Sequence, residues 1–349
     1  PFRSGPEMLG EILKSRKVLA ISGTHGKTTT SYMLAHIFLN QGRDIGFLVG
    51  GVSKDIKGSA SLGTDSTFVI EADEYDSAFF DKRSKFIHYS PSSLVINNIE
   101  FDHADIFDHL DDIKRQFHHL IKIIPSSGEV IYFSDDKNSK DVISKGLWCK
   151  STVIDGNEIK ISFEEQELQY EGTSYSLAEL PLIGQHNFKN YIAAILAAKT
   201  DDIAINDSIE SLKSFSGVKR RLEYKGKFSN IHLYDDFAHH PTAIMFSSQA
   251  IRAKYPEKKI LGLIELGSNT MSGGSHGLEL LNTVSCLDKT VWLDHKNVLD
   301  GNNITSSDNI ENFINQTKSI ISEYDIILLM TNKDSHKILK PLISYLEKK

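Results

Sequence analysis

Cysteine is scarce in this chain: Cys149 and Cys286 are its only two in 349 residues, far apart and with no motif around either. That excludes a disulfide scaffold and a cysteine-built zinc centre, and it fits a reducing cytoplasm. No apolar run approaches the roughly 18 residues of a membrane span. The opening residues Pro1-Phe-Arg-Ser-Gly-Pro-Glu7 are not a signal peptide. Positive charge is in deficit, 39 Lys and Arg against 46 Asp and Glu, which argues against a nucleic-acid backbone as partner. Repeats and low-complexity tracts are absent. An initiator methionine is absent too, and the expectation is that something precedes Pro1.

What is present is the composition of a globular protein, 40% hydrophobic and 24% charged, with a length that favours two domains. The most informative stretch is Val18 to Phe38. Val18 to Ile21 reads as a buried strand, Gly23-Thr-His-Gly-Lys-Thr-Thr-Thr30 as a glycine turn, and the following residues as a helix. Small residues at that place let backbone N–H groups face a polyphosphate at a helix N-terminus. Lys27 can reach the outer phosphates, and the Thr28 hydroxyl can sit on magnesium. The usual pattern asks for glycine at position 21, where Ile21 stands; Gly23 comes two residues late.

Further along, 44–52, Thr67 to Ile70, Ser93 to Ile96 and 129–133 read as strands, and Asp108 to Ile124 as a helix stopped by Pro125. Between Ser151 and Ile183 the pattern shortens to alternating pieces, 159–163, 168–170 and 173–177, which predict an appended antiparallel sheet. Gly184 to Ala198 predicts a small-residue helix. After Phe215 to Val218 the alternation restarts, with strands expected at 231–234, 260–264, 290–293 and 326–330 and helices at 241–254, 276–287, 307–321 and 336–348. This second α/β unit carries no second phosphate loop.

Polar chemistry collects at strand ends, where open α/β sheets bind ligands. Glu71-Ala-Asp-Glu-Tyr-Asp76 ends one strand, Asn97 to Asp105 another, and Tyr234-Asp-Asp-Phe-Ala-His-His-Pro-Thr242 a third. Magnesium takes oxygen ligands, so Glu71 is a candidate. His103 either serves a metal or hydrogen-bonds Asp102 or Asp105. Adjacent His239 and His240 lack zinc-ligand spacing. The basic triplet Lys219-Arg-Arg221 sits at the expected domain junction, either as a solvated face or as a phosphate contact.

Six of these segments, in order, resemble the Mur ligase family, ATP-dependent enzymes that add amino acids or peptides to UDP-N-acetylmuramate: Gly23 to Thr29, Glu71 to Glu74, Asn98 to His103, Gly184 to Asn190, Arg220-Arg221 and Asp235 to Thr242. Within the family, Glu74 to Tyr89 and Phe101 to Phe107 look most like the members that join the recycled tripeptide L-Ala-gamma-D-Glu-meso-diaminopimelate to UDP-N-acetylmuramate. The resemblance implies an α/β fold: a P-loop ATPase domain over 1–217, with a parallel sheet and a small antiparallel one, then a Rossmann-like domain over 218–349. Residues 1–16 would be the tail of an N-terminal UDP-binding domain.

Carried over, the resemblance gives ATP to Gly23, Thr24, His25, Gly26, Lys27, Thr28 and Thr29. Mg2+ would be held by Thr28 and Glu71, with a second metal ion on His103. Asn187 and Asn190 would lie by the adenine, Arg221 would reach the phosphates, and Asp236 with His240 would hold the nucleotide. Lys27, Glu71, His103 and Arg221 are the implied catalytic set. The implied reaction turns a carboxylate into an acyl phosphate, which the tripeptide amine attacks. The implied partners are UDP-N-acetylmuramate and the tripeptide, with neither nucleic acid nor membrane. Folylpolyglutamate synthase and a nucleotide-binding protein that no longer ligates are the competing readings. Two departures stand out: Glu265-Leu-Gly-Ser-Asn-Thr-Met271 has Gly267 where the family pattern has arginine, and Thr331-Asn-Lys-Asp-Ser-His336 lacks glycine. The expectation for the chain by itself is Mg-ATP binding with little ligation.

Overall fold

A computed structural model describes residues 2–274, 279–299 and 304–348. Two compact units are present. The first holds the residues up to Asp102 together with Ile106–Leu182 and His186–Val218; the second holds His103–Asp105, Ile183–Gln185 and the residues from Lys219 onward.

In the first unit, Lys17–Ser22 is a central strand with parallel neighbours on both sides, Thr67–Glu71 and Ser93–Ile96. The sheet runs Ala60–Ser61, Gly46–Leu48, Thr67–Glu71, Lys17–Ser22, Ser93–Ile96, Glu129–Phe133, Lys150–Ile154. Successive residues of a strand face opposite sides, so an unbroken apolar run marks a strand covered on both faces. Leu19 and Ile21 enter the core built with the helices Lys27–Asn40, Gln185–Lys199 and Ile205–Leu212. Val18 and Ala20 enter the opposite core, with Phe117, Leu120 and Ile121 of the helix Leu110–Lys122. The helix Lys27–Asn40 is buried from Thr28 to Phe38, which suits its apolar and small composition all round.

The second unit has a six-stranded sheet in the order Glu223–Phe228, Ile231–Asp236, Ile326–Met330, Ile260–Glu265, Lys289–Leu293, Ser306–Ser307. Only the first pair is antiparallel. Ile260 and Ile264 pack on one face with Ile244 and Ile251 of the helix Pro241–Lys254. Leu261 and Leu263 pack on the other with Phe313, Ile338 and Leu342.

Several expectations need correction. The strand expected over 44–52 shrinks to Gly46–Leu48, because a left-handed Gly51 and the loop that follows turn the chain away. Residues 150–154 join the main parallel sheet rather than the appended one, which consists of Ile159–Ser162, Glu167–Tyr170 and Thr173–Ser176. The helix expected from Asp108 begins at Leu110, where Asp112 accepts the His109 N–H at 3.0 Å to close a capping box. The helix expected over 307–321 runs from Ile310 to Ile320 and is capped by Asn309, while Ser306–Ser307 extends the sheet. Of the helix expected over 276–287, 276–278 lie outside the described residues and Glu279–Asn282 is helical. The helix Gly5–Leu13 and the helix Lys137–Ser144 had no counterpart in the sequence reading.

Candidate functional site

The central strand delivers the glycine turn to the C-terminal edge of the first sheet, between two strands that end in acid and amide groups. Gly26 takes φ +81° and Gly23 φ +132°, backbone that side chains rarely adopt. A Cβ on Gly26 would also lie 2.5 Å from Asn190 Oδ1 and 2.6 Å from Asn97 Nδ2. Gly26 is the N-cap of the helix Lys27–Asn40, and no side chain caps that end. Its first N–H groups are therefore of the kind that anions occupy.

The loop is anchored from below. Thr24 N–H donates to Asn98 O at 3.0 Å, His25 N–H to Asn98 Oδ1 at 2.8 Å, and Glu100 N–H to Thr24 Oγ1 at 2.8 Å. Asn97 Nδ2 donates to Thr30 Oγ1 at 3.1 Å, and the Thr30 hydroxyl donates to Asn190 Oδ1 at 3.1 Å. Asn190 Nδ2 in turn reaches Asn187 Oδ1 at 3.3 Å. Asn187 and Asn190 are thus both buried in the floor of the loop. The Asn97 and Asn98 floor contacts escaped the sequence reading, although the Asn-Asn pair at a strand end was visible.

Lys27 points into acid. Its Nζ donates to Glu74 Oε2 at 3.1 Å and lies 3.8 Å from Asp73 Oδ1. Burial works against its charge, but Glu74, then Asp73 and Glu71, outweigh it and hold its pKa above the ordinary lysine range. Glu74, 1% exposed, is the partner the sequence reading did not single out, since burial leaves no mark on a carboxylate's spelling. Thr28 Oγ1 donates to Glu71 Oε1 at 2.7 Å, and Gly50 N–H donates to Glu71 Oε2 at 2.7 Å. Glu71 is paired in register with Ile21, which is what sets it beside the loop. A hydroxyl and a carboxylate converging on one point, next to a helix N-terminus, form an oxygen donor set that suits magnesium.

His103 has left-handed backbone, φ +59°, and groups with the second unit. In that unit Arg220 and Leu222 are also left-handed, and Asp236 holds the turn between them: its carboxylate accepts Leu222 N–H at 2.5 Å and Ala238 N–H at 2.6 Å. Burial pushes the Asp236 carboxyl up to about 6, against the pull of Arg221 and those two N–H groups. The Arg221 and Arg220 guanidinium groups lie 4.9 and 5.0 Å from the centre of the Phe237 ring. His240 caps the helix Pro241–Lys254 through Thr242 N–H, so its capping role is structural as well as positional.

The model of the Mur ligase middle domain matches residues 21–198. The chain belongs to the Mur ligase family. The chain is 44% identical over 283 residues to the UDP-N-acetylmuramate--L-alanyl-gamma-D-glutamyl-meso-2,6-diaminoheptandioate ligase of Haemophilus influenzae, covering 79% of this chain and 62% of that protein. The chain thus spans less than two thirds of that relative's length. It is 34% identical over 367 residues to the UDP-N-acetylmuramate--L-alanine ligase of Clostridium acetobutylicum, covering 97% of this chain and 78% of the relative. Among solved structures, a murein peptide ligase from Psychrobacter arcticus superposes with a TM-score of 0.75 at 32% identity, covering 99% of this chain and 81% of that one. No described helix of the chain is long and apolar enough to cross a membrane.

Proposed function

We propose that this chain carries the ATP-using part of a ligase that joins L-alanyl-gamma-D-glutamyl-meso-diaminopimelate to UDP-N-acetylmuramate through an acyl phosphate, in the recycling of cell-wall peptide within the cytoplasm. The observation that carries the reading is the 44% identity to the Haemophilus influenzae relative of that name. The Thr28, Glu71 and Lys27 geometry supports its nucleotide half.

In this proposal Gly23 to Thr29 cradle the ATP phosphates with backbone N–H groups, and Lys27 leaves Glu74 for the outer phosphates. Thr28 and Glu71 hold magnesium, which supplies charge neutralisation on the phosphates. His103 as ligand of a second metal ion, and Arg221, Asp236 and His240 as nucleotide contacts, rest on the resemblance. Asn187 and Asn190 act on the nucleotide through the floor of the loop. The chemistry asks for little covalent work from the protein: a carboxylate attacking a phosphate brings anions together, so positioning and positive charge do most of it.

The test measures ATP-analogue binding by calorimetry and phosphate release from ATP with UDP-N-acetylmuramate plus tripeptide, or plus L-alanine. It uses the chain alone and the chain fused behind the N-terminal domain of the Haemophilus influenzae relative. Nucleotide binding by both, with tripeptide-dependent release by the fusion, is expected. Release driven by L-alanine instead, or by neither acceptor, would overturn the reading.

A further inference from the structure

The two departures from the family pattern in the second unit meet in space. Thr331 Oγ1 donates to Glu265 Oε2 at 2.5 Å and accepts the Lys333 N–H at 2.9 Å, so the turn after the strand Ile326–Met330 is tied to the end of the strand Ile260–Glu265. This tie brings Lys333 over Gly267. A Cβ built on Gly267 would lie 2.9 Å from Lys333 Cγ and 3.2 Å from Lys333 Cε, and it would collide with Asn332 Oδ1. Asn332 and the lysine stem together therefore occupy the space that a side chain at 267 would need.

The ammonium at the end of that stem is available. Lys333 is exposed, and among the described residues no carboxylate forms an ion pair with it. The nearby acid, Glu265, is engaged: Oε2 by Thr331 and Oε1 by His295 Nε2 at 3.5 Å. Asp334 is turned to its own local backbone, accepting His336 N–H at 3.1 Å. Both turns leave the C-terminal ends of adjacent parallel strands, the edge at which open α/β sheets receive ligands.

We propose that Lys333 is a specificity residue that takes a carboxylate of the acceptor peptide. It supplies, from a different turn, the positive charge that the sequence at Gly267 lacks. An ammonium is a point charge on a flexible stem, whereas a guanidinium is a planar fork. The contact is thus selective for the charge and tolerant of the carboxylate's exact angle. This inference rests on the peptide-acceptor reading above and sharpens it.

The test is calorimetric titration of the chain, with magnesium and a non-hydrolysable ATP analogue present, by the tripeptide and by the same tripeptide with its diaminopimelate carboxylates amidated. Lys333→Met, which keeps the stem, should weaken tripeptide binding at least tenfold and leave the ATP analogue's affinity unchanged. Amidation should cost the parent a similar factor and cost Lys333→Met almost nothing more. Lys333→Arg, which keeps the charge, should retain binding. Tripeptide binding that Lys333→Met leaves intact overturns the role of Lys333 alone. A parent chain that binds the ATP analogue but no tripeptide overturns the peptide-acceptor reading and this inference with it.

Discussion

Thr28 and Glu71 share a hydrogen bond of 2.7 Å, which joins the first turn of the helix Lys27–Asn40 to the end of the neighbouring strand. The second Glu71 oxygen is held by Gly50 N–H, so both oxygens of the carboxylate are fixed by protein donors. Glu71→Gln preserves the shape and removes the charge. It should raise the magnesium concentration needed for half-maximal ATP turnover by about 10- to 100-fold, while Thr28→Ser, which keeps the hydroxyl, should change it little. A magnesium titration of phosphate release by the fusion protein checks both, and an unshifted curve for Glu71→Gln would overturn its proposed role toward magnesium.

Lys27→Ala should abolish ATP turnover by the fusion protein and also lower the stability of the chain. Glu74 is buried and would lose its ammonium partner, a change that costs about 3 kcal/mol when a buried pair is broken from one side. Adding Glu74→Gln should recover most of that stability and none of the turnover. Urea unfolding run beside phosphate release separates the two effects; a Lys27→Ala variant as stable as the parent would show that the pair does not hold the loop.

The opposite end of the first sheet predicts a pH dependence. Asp65 accepts from Arg43 Nε and Nη2 at 2.9 and 2.8 Å, and Asp201 pairs with Arg43 and Lys17 at 2.8 and 2.7 Å. Hydrogen bonds from Arg43 chiefly, with Thr67 helping against some burial, hold the Asp65 carboxyl well below the usual carboxylate range. A depressed folded pKa gives stability that is complete above the unfolded value of about 3.9 and is lost as pH falls from there toward the folded value. Asp65→Asn should therefore cost about 1.5–3 kcal/mol at pH 7, and its gap from the parent should close at lower pH. Denaturation midpoints at pH 7, 5 and 3 would show it; a gap that widens on acidification would reverse the assignment.

The parts legible in the sequence were those with a periodic or conformational signature. Val18 to Ile21 is apolar without a break because both faces of that strand are covered, and Gly26 is required by its left-handed backbone. Glu71 was legible as the last residue of a strand. The partnership of Lys27 with Glu74 was not, because it depends on which of four nearby acids the chain turns inward. Nor was the meeting of Gly267 with Lys333, which lie 66 positions apart and come together only through strand order. The strand Lys150–Ile154 was misassigned because an edge strand exposed on one side looks like the polar hairpins that follow it.

In the proposed nucleotide role of Gly23 to Thr30, the asparagine floor beneath them sets how a ligand is received. Thr24, His25 and Thr30 are tethered to Asn97, Asn98 and Asn190, residues of two other segments that are themselves fixed when the first unit forms. The turn therefore gives up its freedom during folding and has little left to surrender when phosphate arrives. Calorimetric signatures of ATP binding should accordingly owe little to immobilising Gly23–Thr30, and proteolysis at this turn should be as slow in the empty protein as in the loaded one.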